Sequence, residues 1–316
     1  MEETSAKWLR VGAGILAANL LGWLVTAGYV WLFSALQSDN NQIAPLLIWT
    51  VYPNLLLIPT LMGLAASCFW RPVEKRIWMY LLFSFLTVLI CLAGAFLFLR
   101  EGVICLLIVS PVLLVAIFAG SLIGRTLFKG ADNTLRLAMF PLLILFVLVE
   151  GKIARQGEGM VTDRITIAAP RAEVWKHVVA FPRIRTEPDY WLNKVGLPSA
   201  VETTCEGEFV GARRACIFSN GLVFKEVVAE IETTRLLTFD VTEQPQDPEL
   251  LGHVTLHRGQ FRLEANADGT TTLVGSSWYT LHVRPLWYFG WWTRDITRHA
   301  HGRVMQHIKE LSEQGP

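Results

Sequence analysis

Charged residues are scarce in the first 150 positions of this 316-residue chain. Only 16 of its 55 Asp, Glu, Lys and Arg residues fall there, and the other 39 fall in the last 166 positions. A water-soluble domain needs a charged surface, so this shortage excludes one for residues 1–150 and indicates a membrane domain. The composition changes near Gly151. We therefore predict a transmembrane region at 1–150, a linker at 151–160 and a soluble domain at 161–316.

Several chemical signatures are also missing. The five cysteines form no CxxC pair and no cysteine–histidine set with zinc spacing, so we predict no metal site and no cofactor. The chain has no nucleophile elbow, phosphate-binding loop or dinucleotide fingerprint. The soluble region carries 19 basic and 20 acidic residues, which argues against a nucleic-acid partner. We expect Cys205 and Cys216 to be free thiols, with a disulfide as the alternative for an extracytoplasmic domain.

Long apolar runs fill the first region instead. A membrane-spanning helix needs roughly 20 apolar residues, and four runs meet this length, at 11–36, 43–69, 77–99 and 102–124. A fifth run, 133–149, is predicted to be a shorter span in which Arg136 reaches the membrane interface. A buried or re-entrant helix is the alternative. Sparse polar residues such as Asn19 are expected to form interhelical hydrogen bonds.

Positive charge sets the orientation of the predicted spans. With five spans, eight Lys and Arg residues lie on the side of the amino terminus and three lie on the other side. The amino terminus is therefore predicted to be cytoplasmic, and the soluble domain extracytoplasmic. Four spans would leave the soluble domain in the cytoplasm.

The soluble region has the pattern of an α+β domain. It predicts a strand at 164–168, a helix at 171–181, six strands between 200 and 283, and a long helix at 286–312. Asn220-Gly221 and Asp268-Gly269 are hairpin pairs, so neighbouring strands are predicted to be antiparallel. We expect the antiparallel sheet to wrap around the last helix. The predicted inward stripe of that helix is Ile296, Ala300, Val304, Ile308 and Leu311.

Four segments of this region resemble the START-like helix-grip superfamily, in its polyketide cyclase/dehydrase branch. They are ITIAAPRAEVWKHVVAF, GEFVGARRACIFSNGLVFKEVV, GQFRLEANADGTTTLVGSSWYT and RDITRHAHGRVMQHIKEL. The resemblance covers about residues 161–312 and leaves out the membrane region. It implies a cavity between sheet and terminal helix that accepts a hydrophobic ligand. It also implies a bacterial protein, so we expect an integral protein of the plasma membrane, with the lipid bilayer as a partner.

The expected cavity residues come from several elements. They are Trp191, Arg213, Arg214, Glu226, Trp278, Tyr279, Ala300 and Val304. Alternation along a strand puts Arg213 and Arg214 on opposite faces, and the sequence leaves open which face is concave. The charges of this hairpin have two interpretations. They form an ion pair at the sheet surface, or they anchor a ligand headgroup inside an apolar pocket.

Three residues are candidates for acid–base catalysis: Glu226, His299 and Tyr279. Asp295 and His299 share one face of the terminal helix. This pair is interpreted either as a salt bridge on the helix surface or as an orienting pair for a general base.

Aromatic residues crowd the start of the terminal helix, with five in six positions. They cover more than one helix face, so they cannot all pack into one core stripe. Trp287, Tyr288, Trp291 and Trp292 are predicted to contact the membrane interface. The alternative is burial of the helix start beneath the loop at 182–198.

These observations favour a membrane-tethered module that binds or transfers a hydrophobic small molecule, such as a lipid, an isoprenoid or a polyketide-like compound. One alternative is an enzyme of the cyclase or dehydrase type that acts on such a ligand. The other is a structural partner in a membrane complex.

Overall fold

The computed structural model describes residues 2–37, 44–127, 157–247 and 253–314. The chain divides into two compact units, Met1–Arg155 and Gln156–Pro316. The predicted fifth span at 133–149 and most of the predicted linker lie outside the described residues.

The first unit is helical. It contains α1 (Glu2–Gln37), α2 (Ala44–Trp70), α3 (Ile77–Gly94, extended by a π-helical turn at Ala95–Leu99) and α4 (Val103–Leu127). Three stretches are long and apolar enough to cross a membrane, and Leu55–Trp70 is a shorter apolar stretch. The three are Thr4–Gly28, Ile77–Phe98 and Val103–Leu127. Large apolar side chains such as Leu24, Phe98 and Val115 are exposed on this unit. These helices support a membrane protein, because such surfaces are stable against lipid and unfavourable in water.

Small residues join α2 and α4. Gly63 lies against the carbonyl of Ile117, and Gly120 lies against the carbonyl of Thr60. A Cβ atom at either glycine would overlap the backbone of the facing helix. Helices that associate in lipid commonly use such close backbone contacts, since no hydrophobic force drives them together there.

Hydrogen bonds of polar side chains also link the helices, as predicted for Asn19. Its Nδ2 donates to the carbonyl of Ile15 within α1, at 3.0 Å, and to that of Thr87 in α3, at 3.4 Å. The indole Nε1 of Trp70 in α2 donates to the carbonyl of Val11 in α1, at 3.2 Å. Each of these hydrogen bonds satisfies a buried donor.

Charged groups collect at one end of this helical unit. Lys7 Nζ lies 2.9 Å from Glu74 Oε2, and Arg125 Nη2 donates to the carbonyl of Lys75 at 2.6 Å. The hydrogen bond from Lys7 and the backbone N–H of Arg76 lower the pKa of Glu74 to about 2. The basic residues of α1, α4 and the α2–α3 turn therefore share one end, as an up-and-down arrangement of four helices requires. The cytoplasmic location of this end stays a prediction.

The second unit is an antiparallel sheet with a long terminal helix. In chain order its elements are β1 (Glu158–Ile167), α5 (Arg171–Val179), α6 (Trp191–Lys194), β2 (Ala200–Cys205), β3 (Arg213–Phe218), β4 (Val223–Glu232), β5 (Leu236–Glu243), β6 (Val254–Ala265), β7 (Thr271–Leu281) and α7 (Leu286–Glu313). The seven strands follow the order β1-β7-β6-β5-β4-β3-β2, with every pair antiparallel. Helix α7 packs against β1, β7, β2 and α5. This is the predicted helix-grip fold.

The two glycine turns form the expected hairpins. Gly221 and Gly269 both have φ of +84°, a conformation that favours glycine. They join β3 to β4 and β6 to β7. Asp268 Oδ1 accepts the backbone N–H of Thr270 at 3.1 Å, which stabilises the second turn.

Strand β1 begins six residues earlier than predicted. Asp163 pairs with Gly275 of β7, and the pairing continues back to Glu158. The hydroxyls of Thr162 and Ser276 hydrogen-bond across the strands at 2.9 Å. The sequence pattern did not predict the first half of β1, because its inward positions do not all carry apolar side chains.

The core of this unit lies between the sheet and helices α5 and α7. Its largest α7 members are Met305 and Ile308, both almost fully buried. Val304 and Leu311 pack half-buried against the core as predicted, but Ala300 is exposed. Ile308 of the predicted stripe is buried as expected, and the unpredicted positions 301, 305 and 312 also face the sheet.

Candidate functional site

The concave face of the sheet is the face that meets α7 and α5. Core residues such as Ile167, Leu273, Phe261 and Val228 point toward it. Side chains alternate along a strand, so the same face also carries polar residues, four of which are grouped by their contacts. These are Asp163 on β1, Ser277 on β7, Glu226 on β4 and Arg214 on β3. They form two separate polar groups on an apolar face.

The first group is a buried ion pair. Arg214 and Glu226 are directly opposite in the β3–β4 ladder, and Arg214 Nη1 donates to Glu226 Oε2. Their side chains are among the least exposed in the unit, with residue exposures of 4% and 6%. The guanidinium also lies over the ring of Phe239 at 4.1 Å and donates from Nε to the carbonyl of Val179 at 3.4 Å. The surface ion-pair interpretation is therefore wrong, and Arg213 is the exposed neighbour on the opposite face.

Burial dominates the electrostatics around this pair. It raises the pKa of Glu226, and the charge of Arg214 opposes that rise. Burial also raises the pKa of the Cys216 thiol, to about 11, so this cysteine is a poor nucleophile at neutral pH. Cys216 pairs with Thr203, whereas Cys205 pairs with Arg214. The two cysteines are not opposite each other and are free thiols, as expected.

The second group spans three elements. His301 of α7 places its Nδ1 2.8 Å from Asp163 Oδ2 and its Nε2 2.8 Å from Ser277 Oγ. Arg298 Nε lies 3.8 Å from the other oxygen of Asp163. The side chain of His301 is 13% exposed, and that of Asp163 is 27% exposed. We call Asp163, His301 and Ser277 the polar relay.

The direction of the hydrogen bonds in the polar relay follows from the groups themselves. A carboxylate only accepts, so the proton between His301 and Asp163 belongs to Nδ1. Burial lowers the pKa of His301 more than Asp163 raises it, which favours the neutral ring. A neutral imidazole has one N–H group, so Nε2 accepts and the Ser277 hydroxyl donates. The relay is therefore oriented from Ser277 through His301 to Asp163.

The sequence predictions missed all three relay residues. Asp163 lay before the predicted start of β1, and His301 lay beside the predicted stripe of α7. Two signals point to them. Ser277 shares two-residue spacing with Leu273 and Gly275, and His301 shares helical spacing with Met305. Both signals depend on knowing which face of each element is inward.

The predicted catalytic residue His299 lies in a different cluster. Its ring stacks on that of Tyr190, with centroids 3.8 Å apart, and it is half-exposed. The hydroxyl of Tyr190 donates to Asp295 Oδ2 at 2.7 Å, whereas His299 Nδ1 is 3.8 Å from Asp295 Oδ1. Burial and this hydrogen bond raise the pKa of Tyr190. The carboxylate of Asp295 thus hydrogen-bonds Tyr190 rather than orienting His299.

The remaining predicted cavity residues are divided between the two faces of the sheet. Tyr279 is buried on the concave face, against Gly159 of β1. Trp278 lies on the opposite face, because adjacent residues of a strand point in opposite directions. The prediction that both aromatic side chains line one cavity is therefore wrong for Trp278. Val304 reaches the core from α7.

Two of the clustered tryptophans are highly exposed. Trp287 is 71% exposed and Trp291, one helical turn later, is 54% exposed, so burial beneath the loop is wrong for both. Tyr288 and Trp292 are half-buried. Trp191 of α6, itself 46% exposed, contacts the ring of Trp292 with centroids 6.3 Å apart. Trp287 and Trp291 form an exposed aromatic patch, with Trp191 beside Trp292.

Within the described parts of the chain, no group of three or more His, Cys, Asp or Glu side chains is arranged to hold a metal ion. The concave face carries acid–base side chains of its own. Two sets are present there, the Arg214–Glu226 pair and the polar relay.

Comparisons with known proteins add a set of distant structural likenesses. No protein-family model matches this sequence, and no curated protein matches it. Norcoclaurine synthase from Thalictrum flavum, in complex with dopamine and hydroxybenzaldehyde, is 14% identical, with a TM-score of 0.36 over 51% of this chain and 90% of that chain. A protein from Nitrosospira multiformis is 18% identical, with a TM-score of 0.33 over 48% and 94% of the two chains.

A protein from Mesorhizobium loti is also 18% identical, with a TM-score of 0.33 over 50% of this chain and 99% of that chain. The sheet order β1-β7-β6-β5-β4-β3-β2 and the packing of α7 against it define the architecture directly. The second unit of this chain is a helix-grip domain.

Proposed function

We propose that this chain is a membrane-anchored helix-grip protein that binds a hydrophobic small molecule on the concave face of its sheet. The observation that carries the proposal is the composition of that face, which is apolar around the buried Arg214–Glu226 pair. Small-molecule sites are mostly apolar and carry a few placed polar groups that orient the ligand. The concave face has this character.

Arg214 is the proposed polar anchor. Its Nη1 is engaged with Glu226 and its Nε with the carbonyl of Val179. Guanidinium groups present five donors in a fixed plane. Nη2 of Arg214 makes no hydrogen bond to the residues that the structure describes. We propose that it donates to a carbonyl, hydroxyl or acidic group at the polar end of the ligand.

The membrane is the proposed source of the ligand. Three helices of the first unit are long and apolar enough to span a bilayer, where hydrophobic molecules accumulate. Trp287 and Trp291 are exposed on the second unit, and tryptophan prefers the interfacial layer of a bilayer. We place this patch at the headgroup level, with Trp191 beside it.

Two adjacent residues of β3 provide the test. Cys216 is half-buried on the concave face, and Ala215 is half-buried on the opposite face. The full chain is purified in mild detergent, and binding of an environment-sensitive apolar fluorophore is titrated. We expect C216F to weaken saturable binding at least roughly tenfold by filling space, and A215F to leave it unchanged.

Native mass spectrometry of the same samples identifies any co-purified molecule. A hydrophobic molecule retained by the wild type and A215F, and lost from C216F, supports the proposal. Overpacking costs about 1–3 kcal/mol, so thermal unfolding is measured for both variants to show that they are folded. Equal binding by the two folded variants, or no saturable binding by the wild type, overturns it.

A further inference from the structure

We propose that Ser277 is a nucleophile that cleaves or transfers an ester or thioester of an apolar acid. His301 activates Ser277 as its base, and Asp163 orients His301. Hydrolysis and acyl transfer go beyond the binding function proposed above. Only the apolar character of the acyl group rests on that function. The nucleophile is inferred from the geometry of the polar relay alone.

The connectivity of the relay is the first argument. Nucleophilic catalysis by serine needs a hydroxyl hydrogen-bonded to a base, with a third group orienting the base. Ser277 Oγ, His301 Nε2, His301 Nδ1 and Asp163 Oδ2 are linked in this order by two contacts of 2.8 Å. Asp163 and His301 are 138 positions apart in the sequence, and Ser277 and His301 are 24 apart. The arrangement is therefore made by the fold and not by local helix or turn geometry.

The protonation pattern is the second argument. Asp163 holds the proton of His301 on Nδ1, which leaves Nε2 as the acceptor for the Ser277 proton. Arg298 Nε, at 3.8 Å, is a second basic group beside Asp163. A histidine in this state can take a proton from serine at neutral pH.

The position of Ser277 is the third argument. It is half-buried on the concave face, with glycines at neighbouring positions, Gly275 on its own strand and Gly259 on β6. The adjacent Ser276 lies on the opposite face and hydrogen-bonds Thr162. Of these two consecutive serines, Ser277 therefore contacts a base, His301, whereas the side chain of Ser276 contacts the hydroxyl of Thr162.

The reaction needs only an acyl ester or thioester and water. Ser277 Oγ attacks the carbonyl carbon while its proton moves to His301 Nε2. The bond from carbon to the leaving oxygen or sulfur breaks, and the leaving group takes the proton from Nε2. Water then attacks the acyl-serine, giving its proton to Nε2, and the free acid departs as Ser277 regains a proton. A second hydroxyl compound in place of water gives acyl transfer.

The variant D163N tests the relay with little change in shape. An asparagine amide can donate to His301 Nδ1, which forces the ring proton onto Nε2. Ser277 then loses its acceptor although every residue stays in place. A merely structural hydrogen-bond network tolerates this change, because the number of hydrogen bonds is preserved.

The experiment uses the full chain in mild detergent and a fluorophosphonate probe. The Ser277 oxygen displaces fluoride and forms a stable bond to phosphorus, and peptide mass spectrometry locates the adduct. We expect labelling at Ser277 in the wild type and in S276A, none at this position in S277A, and labelling at least roughly 100-fold slower in D163N. The rate should fall as pH drops through the pKa of His301, which lies below its usual value.

The outcomes separate this inference from the binding proposal. No adduct at Ser277 in the folded wild type, or a D163N rate equal to that of the wild type, overturns the inference. Retention of a hydrophobic molecule without labelling leaves the binding function standing alone. Labelling of a protein that binds no apolar fluorophore leaves the nucleophile standing and removes the apolar substrate.

Discussion

The two polar groups of the concave face differ in how their charges are balanced. Arg214 and Glu226 neutralise each other directly and are both more than nine-tenths buried. The polar relay begins at a partly exposed carboxylate and ends at a neutral hydroxyl. A closed ion pair can orient a ligand but has no group ready to react. An oriented chain of donors that ends in a hydroxyl can transfer a proton.

The largest effect on stability is expected from breaking the Arg214–Glu226 ion pair. R214M removes one partner and leaves the Glu226 carboxyl buried without its counter-charge. Removing one member of a buried pair typically costs about 3–5 kcal/mol. We expect a loss of this size in the free energy of unfolding of the second unit, measured by denaturant titration followed by tryptophan fluorescence.

The matched control is R213M, one position earlier on the exposed face. Surface substitutions of this kind usually change stability by less than about 0.5 kcal/mol. Equal destabilisation by the two variants would show that burial of Arg214 has been misassigned. The comparison is made between neighbours on one strand, so differences in strand propensity contribute little.

A smaller effect is expected from shortening the polar relay. S277A removes a hydroxyl and leaves His301 Nε2 without its donor, whereas S276A removes a hydroxyl from the opposite face. The loss of one hydrogen bond costs roughly 0.5–1.5 kcal/mol. We expect both variants to fold with similar melting temperatures, and only S277A to abolish fluorophosphonate labelling at residue 277. A large loss of stability in S277A alone would indicate a structural role for the relay.

The smallest expected effect is a pH dependence of stability. Burial lowers the pKa of His301 below its usual value of 6.5. The unfolded chain therefore binds the proton more readily, and the folded state loses stability as pH falls from 6.5 toward the pKa of the folded protein. Chemical denaturation of the wild type and H301Q should differ in slope over this window. Identical pH profiles would mean that His301 has an ordinary pKa in the folded state.

The fold was largely predictable because its signals are local. Asn220-Gly221 and Asp268-Gly269 define two hairpins by turn chemistry alone, and the apolar runs define the helices of the first unit by length. The terminal helix follows from its helical spacing and from Pro285, which directly precedes it. Strand β1 was predicted too short because Asp163 and Thr162 interrupt its apolar pattern.

The candidate site was only partly predictable, because its composition depends on which side chains of each strand and helix face the core. Arg214 and Glu226 were recognised as charges among apolar neighbours, but the concave face is set by the packing of α7. His301 was missed because the predicted stripe of α7 left out the adjacent inward positions 301, 305 and 312. Trp278 was misplaced because the two adjacent aromatic residues were assigned to one cavity.

The most direct test of binding on the concave face is to locate a hydrophobic ligand on the protein. The full chain is placed in lipid nanodiscs that contain a long-chain probe with a photoreactive diazirine, and the adducts are mapped by mass spectrometry. We expect adducts on concave-face residues of β3, β4 and β7, including Cys216 and Tyr279, and their loss in C216F. Adducts confined to the helices of the first unit would contradict binding on that face.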